Sequence, residues 1–208
     1  GVIIITTKKG KEGQLKINFD ASVSASMYNN KMEVLNAEEY GQAMWQAYVN
    51  GGQDPNTNPL GYKYDWGYDS NGYPKLNSIS MSRFLDSNNT VPSADTDWFD
   101  ETTRTGVIQQ YNVSVSNGSE KGSSFFSLGY YKNLGVIKDT DFERFSARMN
   151  SDYNLIGKVL TVGEHFTLNR TSEVQAPEGF LQNVLQFNPS LPVYDINGNY
   201  AGPVGGYP

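Results

Sequence analysis

The sequence lacks cysteine entirely and contains one histidine in 208 residues. The absence of cysteine excludes disulfides and thiolate metal sites, and a single histidine leaves a zinc site without its usual set of ligands. No stretch approaches the roughly 18 apolar residues that a transmembrane helix needs. The formal net charge of -6 disfavours nucleic acid as a partner, because phosphate binding requires a basic patch. What is abundant is tyrosine (14) and glycine (21), a composition typical of β structure with many turns.

Between Gln14 and Met27 the sequence alternates strictly between apolar and polar residues. Side chains of a β-strand point to opposite faces with a period of two, so this segment is predicted to be a strand with one apolar and one polar face. The predicted apolar face consists of Leu15, Ile17, Phe19, Ala21, Val23, Ala25 and Met27.

The length of this strand is more informative than its regularity. Strands in soluble domains usually have about 5–6 residues. At roughly 3.3 Å per residue, about 14 residues span on the order of 45 Å, which at a tilt of about 45° crosses a hydrocarbon core of about 30 Å. An apolar face directed outward and a polar face directed inward is the pattern of an outer-membrane barrel strand.

The alternation returns in the second half of the chain and predicts four further strands, which brings the total to five long strands at about 14–27, 108–117, 123–132, 141–153 and 158–170. Their connections alternate between long and short, and outer-membrane barrels have short periplasmic turns and longer extracellular loops. We therefore predict a mainly β fold: long antiparallel meander strands of a partial outer-membrane β-barrel, with one or two short helices in the long loops. The long loops, at about 28–107 and 171–208, are expected on the outside. Glu164 interrupts the apolar face of the last strand and requires interfacial depth or a soluble neighbour.

Local patterns predict several smaller elements. Asn36 as N-cap with Glu39 three residues later forms a capping box, which predicts a helix over 37–49. A helical turn is predicted around 79–85 and a further helix over 177–186, whereas 53–78 is interpreted as an ordered aromatic loop. Two Asp-x-Asn-Gly sequences, at 69–72 and 195–198, predict hairpin turns with Asn and Gly in the left-handed conformation. A continuous β-branched run at 2–7 predicts a strand buried on both faces.

Several stretches, taken in order, resemble segments of one family. They are Gly1-Val2-Ile3-Ile4-Ile5-Thr6-Thr7-Lys8-Lys9-Gly10, Thr96-Asp97-Trp98-Phe99-Asp100-Glu101 with Arg104-Thr105-Gly106, Tyr111 to Ser116 with Phe126 to Tyr130, Gly135-Val136-Ile137 with Phe142 to Asn150, and Pro192-Val193-Tyr194-Asp195 with Asn197-Gly198. The ordered series resembles SusC/RagA-type TonB-dependent outer-membrane transporters, from the end of the plug domain through the first barrel strands.

The resemblance implies a function for a longer parent protein located in the cell outer membrane. Residues 1–13 would be the end of the plug domain and its connector, and 14–208 the N-terminal part of the barrel. The parent would import oligosaccharides or peptides with energy from the inner-membrane TonB complex, under a SusD-like surface lipoprotein that acts as a lid. Lipid of the outer membrane would surround the wall. The TonB box, most of the plug and most barrel strands would lie outside the sequence, so this segment alone is not expected to transport.

Binding residues are predicted in the aromatic loop, where tyrosine and tryptophan alternate with glycine and charged residues. Exposed aromatic side chains with polar groups suit stacking on sugars or contact with a partner protein, but they could equally pack within the loop and keep it folded. The candidates for substrate or partner contact are Tyr62, Tyr64, Trp66, Tyr68, Tyr73 and Trp98. Asp95, Asp97, Asp100 and Glu101 surround Trp98, and their spacing matches no EF-hand loop, so a solvated loop is favoured over a calcium site.

Catalysis has little support in the sequence. His165, placed by alternation on the polar face of the last strand, is interpreted as a wall residue facing the lumen rather than a base or a metal ligand. No Gly-x-Ser-x-Gly elbow occurs, and no enzyme activity and no cofactor are predicted. The alternative function is a soluble secreted β-domain that binds carbohydrate, whose alternating faces would have to pack into a closed sandwich.

Overall fold

A computed structural model describes residues 13–29, 33–57, 60–157 and 159–201. The strand predicted at 2–7 lies outside these residues. The chain divides into two compact units: a sheet unit of residues 1–29 and 103–178, and a helix–hairpin unit of residues 30–102 and 179–208. None of the helices in the described ranges is long and apolar enough to cross a membrane.

The sheet unit is built from five long strands of 13 to 15 residues each. We number strands in chain order, so that β2 and β3 belong to the other unit. The strands of the sheet unit are β1 (Gly13–Ser26), β4 (Gly106–Ser119), β5 (Gly122–Leu134), β6 (Asp141–Leu155) and β7 (Leu160–Val174). All neighbouring pairs are antiparallel in the order β1-β4-β5-β6-β7, so the sheet is a meander apart from the long excursion between β1 and β4.

The connections of this sheet differ in length at its two ends. At one end, β4 joins β5 and β6 joins β7 through tight turns, and the second turn has Ile156 and Gly157 in the left-handed conformation (φ 51° and 60°). At the other end lie the excursion after β1, the connection at 135–140 and the segment after β7. Arg104 fastens the connection at 135–140, because its guanidinium donates hydrogen bonds to the carbonyl oxygens of Gly135 (3.0 Å) and Thr140 (2.9 Å).

The helix–hairpin unit contains the predicted capped helix. Helix α1 (Ala37–Asn50) begins with the capping box: the Glu39 amide donates to Asn36 Oδ1 at 2.9 Å, and the Asn36 amide donates to Glu39 Oε2 at 3.1 Å. After a 3-10 turn at Pro55–Thr57, a hairpin follows, composed of β2 (Tyr62–Tyr68) and β3 (Pro74–Met81). Two predictions are therefore wrong: 53–78 is not a loop throughout, and 79–81 belongs to a strand rather than a helical turn.

The core of this unit lies between α1 and the hairpin. Trp45 from the helix packs with Leu60, Tyr62 and Tyr64, all at most 7% exposed. Gly41 of α1 lets the helix approach the hairpin closely, because a Cβ at this position would lie 2.7 Å from Cε1 of Tyr62. The unit thus has an apolar core of its own.

Two aspartate turns and two short helices complete this unit. Asp69 Oδ1 accepts from the amides of residues 71 (2.8 Å) and 73 (2.9 Å), and Asp195 Oδ1 accepts in the same way from residues 197 (2.8 Å) and 199 (2.9 Å). Gly72 and Gly198 adopt the predicted left-handed conformation, whereas the preceding asparagines do not. Helix α2 is Trp98–Thr102, and α3 (Phe180–Gln186) occupies most of the helix predicted at 177–186.

Candidate functional site

The apolar face of the sheet consists of rows of side chains that run across all five strands. Cross-strand partners in an antiparallel ladder point to the same face, so the register identifies each row. The middle row is Ile17, Val115, Phe126, Met149 and Phe166, and the next row is Phe19, Val113, Leu128, Ala147 and Leu168. Side chains on this face are exposed: Ile17 is 64% exposed and Phe19 is 68% exposed. An alternative with a closed sandwich core would require these side chains to be buried.

Aromatic residues mark both ends of this apolar face. Near the end with the longer connections, Tyr111, Tyr130 and Phe145 form a third row, with ring centroids 6.2 Å and 4.7 Å apart. Near the tight turns, Tyr153 lies on the same face opposite Val162. Phe145 and Tyr153 are eight residues apart on β6, which corresponds to about 26 Å along the strand and about 20 Å in height at a tilt of about 40°. This height is close to the roughly 25 Å apolar band between the aromatic girdles of outer-membrane barrels.

Glu164 lies on the apolar face, opposite Ser151 and one row from the Tyr153–Val162 pair. Ser124 completes the same row on β5, so the glutamate belongs to a polar row near the tight-turn end of the sheet. The Glu164 carboxylate therefore lies close to the end of the apolar band, which is the interfacial depth expected for a charged residue that interrupts the apolar face.

The opposite face of the sheet is polar and carries the side chains of the alternate positions. Asn18 donates to the Ser114 hydroxyl at 3.4 Å, and His165 Nδ1 lies 3.2 Å from Asn150 Oδ1. The Arg144 guanidinium lies over the Tyr131 ring, 5.7 Å from its centroid. The predicted wall position of His165 thus agrees with its cross-strand amide contact. Among the described residues, no group of three or more His, Asp or Glu side chains is placed to hold a metal ion.

The aromatic hairpin separates the predicted binding residues into two groups. Tyr62 and Tyr64, 3% and 6% exposed, lie in the core, where their hydroxyls donate to the carbonyl oxygens of Ala37 (2.7 Å) and Gly41 (3.0 Å). Burial raises the pKa of Tyr62 to about 12 and also raises the pKa of Tyr64. The interpretation of these two tyrosines as contact residues is therefore corrected: they connect α1 to the hairpin.

The remaining aromatic candidates are more accessible. Trp66 is half-buried, and its ring lies 5.7 Å from the Tyr68 ring at an interplanar angle of 57°. Tyr68 and Tyr73, each 69% exposed, flank the hairpin turn. A β-bulge between Asp65 and Trp66 changes the register and helps to explain why burial along β2 is lost after Tyr64.

Trp98 has a structural position within the helix–hairpin unit. Its indole N–H donates to the Asn188 carbonyl oxygen at 3.0 Å, and its ring meets the Phe187 ring edge-on at 4.7 Å. Two of the surrounding carboxylates are engaged by backbone amides: Asp95 accepts from Ala37 at 2.7 Å, and Asp97 accepts from Phe99 at 2.9 Å. These carboxylates thus stabilise local backbone, which gives the acidic cluster a structural explanation.

Arg170 is part of the apolar face, which the apolar pattern of the sequence does not indicate. The structure extends β7 to Val174, and Arg170 lies opposite Phe145 in the aromatic row. The apolar pattern ends after Leu168, because Arg170 and Ser172 occupy positions of the apolar face. The alternation alone therefore predicts that the strand ends at about residue 170. Continued β-propensity in this segment was the available signal.

Comparison with known proteins agrees with this geometry. The chain is 30% identical to the TonB-dependent receptor SusC of Bacteroides thetaiotaomicron over an aligned 217 residues, which include 100% of this chain and 17% of that protein. It is 26% identical to the TonB-dependent receptor P3 of Formosa agariphila, with 96% of this chain and 17% of that protein covered. The chain belongs to the SusC/RagA type of TonB-dependent transporters. No family model matches the chain.

Solved structures of this type share the fold. The RagAB peptide transporter superposes with a TM-score of 0.63 at 23% identity, covering 94% of this chain and 23% of that chain. The RagAB peptide importer in its 'closed-closed' state gives a TM-score of 0.62 at 24% identity, covering 94% of this chain and 23% of that chain. These superpositions confirm the predicted partial-barrel fold, and membership of the family confirms the predicted outer-membrane location. The chain spans about a sixth of the length of SusC and of the receptors P3 and P39 of Formosa agariphila, 17% in each case.

Proposed function

We propose that the parent protein is an outer-membrane importer and that this segment supplies part of its barrel wall together with an external unit. The single observation that carries the proposal is the sheet itself: five membrane-length strands with an exposed apolar face bounded by aromatic residues. An exposed apolar face of this extent needs lipid as its solvent, and the polar face opposite it then lines the lumen. The segment has a structural role in this proposal, without catalysis of its own.

The proposed topology follows from the connections. Tight turns belong to the periplasmic side and longer connections to the outside, so β1 runs outward and residues 28–107 and 171–208 are external. Residues 1–13 would be the end of the plug domain and its connector. The helix–hairpin unit would then be presented at the cell surface. Its own apolar core supports this assignment, since a surface unit must fold without help from the membrane.

The partners of the parent are proposed on the same basis. Import would be driven by the TonB complex, and a SusD-like lipoprotein would cover the external side. Peptide is one proposed substrate class for the parent, since RagAB is described as a peptide transporter. Oligosaccharide is the other class, which the family resemblance implies. Tyr68 and Tyr73, exposed beside the hairpin turn, are the side chains we assign to partner or substrate contact.

Labelling of single cysteines in the full-length parent on intact cells tests the topology. This segment has no cysteine, so it contributes no background to the reaction. With a membrane-impermeant maleimide, Tyr73→Cys at the hairpin should react on intact cells. Glu120→Cys at the β4–β5 turn should react only after the outer membrane is permeabilised. The reverse pattern, with Glu120→Cys labelled and Tyr73→Cys protected, would contradict the proposed orientation.

The transport activity needs its own measurement. Cells that depend on the parent for growth should lose uptake of its oligosaccharide or peptide when the parent is deleted, and equally when TonB is deleted. Restoring the parent with Tyr68→Ala and Tyr73→Ala tests the assigned contact residues, with Tyr28→Ala as an exposed aromatic control on the sheet side of the chain. Uptake that survives deletion of TonB would contradict the importer proposal.

A further inference from the structure

The apolar face contains a groove along two adjacent rows of side chains. It has a volume of about 390 Å³ and crosses all five strands of the sheet. Its floor and one wall are the row Phe19, Val113, Leu128, Ala147 and Leu168, and the other wall is Tyr111, Tyr130, Phe145 and Arg170. We call this feature the row groove. Its depth comes from Ala147, whose methyl group lies between the longer side chains of Leu128 and Leu168.

One end of the row groove carries a positive charge. Arg170 is exposed on β7, and within the described residues no ion pair or hydrogen bond engages its guanidinium. The nearest other charges on this face are Glu143 and Lys132, one row farther toward the longer connections, and they lie 3.8 Å from each other. Asp141 follows one more row outward. Because Lys132 and Glu143 compensate each other, the Arg170 guanidinium is available to an anionic ligand at the groove.

Arg170 and the row groove together have the chemistry of a lipid site. A guanidinium on a lipid-facing strand is destabilising unless it reaches the headgroup region or an anionic partner. A phosphate oxygen pair suits the planar donor geometry of arginine, which binds phosphate through two parallel hydrogen bonds. The neighbouring groove is apolar and elongated, as an acyl chain requires. Position and chemistry therefore describe one amphiphilic ligand with a phosphate head and an aliphatic chain.

We propose that the row groove binds an acyl chain of lipid A, with a lipid A phosphate on Arg170. The choice of lipid rests on the proposed function, because that topology places the aromatic row and Arg170 in the outer leaflet, where the phosphorylated lipid is lipid A. A bound lipid of this kind would fix the wall beside the external connections. It would also couple the wall to the composition of the outer leaflet.

Native mass spectrometry of the full-length parent tests the site. The parent and its variants are extracted from outer membranes in mild detergent, and the fraction that retains lipid A is compared with the fraction that retains phospholipid. Arg170→Gln should lower lipid A retention roughly tenfold or more, since it removes charge-assisted hydrogen bonds. Ala147→Leu should also lower it, because the added carbons fill the groove. Arg148→Gln is the matched control, because it makes the same substitution at an exposed arginine on the polar face, and it should retain lipid A as the unchanged protein does.

Several outcomes would overturn this inference. Equal retention in all variants would identify the lipid as ordinary annular lipid, and retention of phospholipid in place of lipid A would contradict the choice of ligand. Heat-modifiable migration on gels verifies that each variant has folded; if Ala147→Leu fails to fold, Ala147→Val gives a smaller filling of the same groove. If Tyr73→Cys is labelled on intact cells as expected but the variants retain lipid A equally, only the lipid site is refuted. If the labelling pattern is reversed, the topology on which the lipid site depends is refuted.

Discussion

Arginine placed at Ile17 should destabilise the parent strongly, because Ile17 lies at mid-height of the apolar face. Its row includes Met149, which is four residues from Phe145 in one direction and four from Tyr153 in the other. An arginine on the lipid face at the bilayer midplane costs about 2–4 kcal/mol. Since about 1.4 kcal/mol changes an equilibrium constant tenfold, the folding equilibrium should fall by a factor of roughly 30 to 1,000.

Two further arginines on the same strand provide matched controls. Asn18→Arg introduces the same side chain one residue away, where it points to the polar face and contacts Ser114 rather than lipid. Ala25→Arg stays on the apolar face but lies eight residues from Ile17, which is about 20 Å from mid-height at a tilt of about 40°. Its cost should fall to about 0–1 kcal/mol, the value for positions near the interface.

The assay is equilibrium urea unfolding of the full-length parent folded into phospholipid vesicles, followed by tryptophan fluorescence. The expected order of destabilisation is Ile17→Arg first, with Asn18→Arg and Ala25→Arg both small. If Asn18→Arg cost more than Ile17→Arg, the two faces would be assigned the wrong way round. If Ala25→Arg cost as much as Ile17→Arg, the aromatic row would not mark the edge of the apolar band.

Three smaller predictions concern local structure. Gly41→Ala should lower the melting temperature of the helix–hairpin unit, because the added Cβ would lie 2.7 Å from the Tyr62 ring. This clash should outweigh the gain of about 1 kcal/mol in helix propensity. An exposed helix position changed to alanine is the control. Ile156→Asn should raise the free energy of unfolding, since Ile156 has φ 51° and a left-handed β-branched residue costs about 1–2 kcal/mol; no gain in urea unfolding would refute the strain. Backbone amides hold the pKa of Asp195 below its ordinary 3.8. The turn that they stabilise should therefore persist above pH 3.8 and be lost as the pH falls through the lowered pKa of the folded state. An NMR titration of the Asn199 amide with a midpoint above 3.8 would contradict this.

The faces of the long strands could be predicted because the period of two is written directly in the sequence. From residue 14 to 27 every apolar residue lies on one face, and the structure pairs that face with the apolar positions of β4. The extent of β7 could not be predicted in the same way. At Arg170 and Ser172 the strand continues through hydrogen bonds to β6, although the side chains no longer follow the apolar pattern. Backbone pairing therefore extends the sheet beyond the apolar band, where side-chain patterning ends.

The prediction of a loop over residues 53–78 is wrong for a different reason. Glycine, asparagine, proline and aspartate dominate residues 53–78, and their turn preference outweighed the alternation of Tyr62, Tyr64, Trp66 and Tyr68. Which of these aromatics are buried depends on α1, whose packing places Gly41 against Tyr62. A contact between residues so far apart in sequence leaves no local pattern. For this reason the sequence could nominate the aromatic residues but could not separate the core tyrosines from the exposed ones.

The two units obtain their stability from different sources, and this difference follows from their side chains. In the helix–hairpin unit, Trp45 and Tyr62 are removed from water by the unit's own helix and hairpin. In the sheet unit the ladder satisfies the backbone hydrogen bonds, but side chains of the apolar face such as Ile17 and Phe19 stay exposed. Burial of apolar area contributes about 25 cal/mol per Å², and under the proposed topology a membrane provides this burial for the apolar face. Lipid or detergent should therefore stabilise the sheet unit of the parent far more than the helix–hairpin unit.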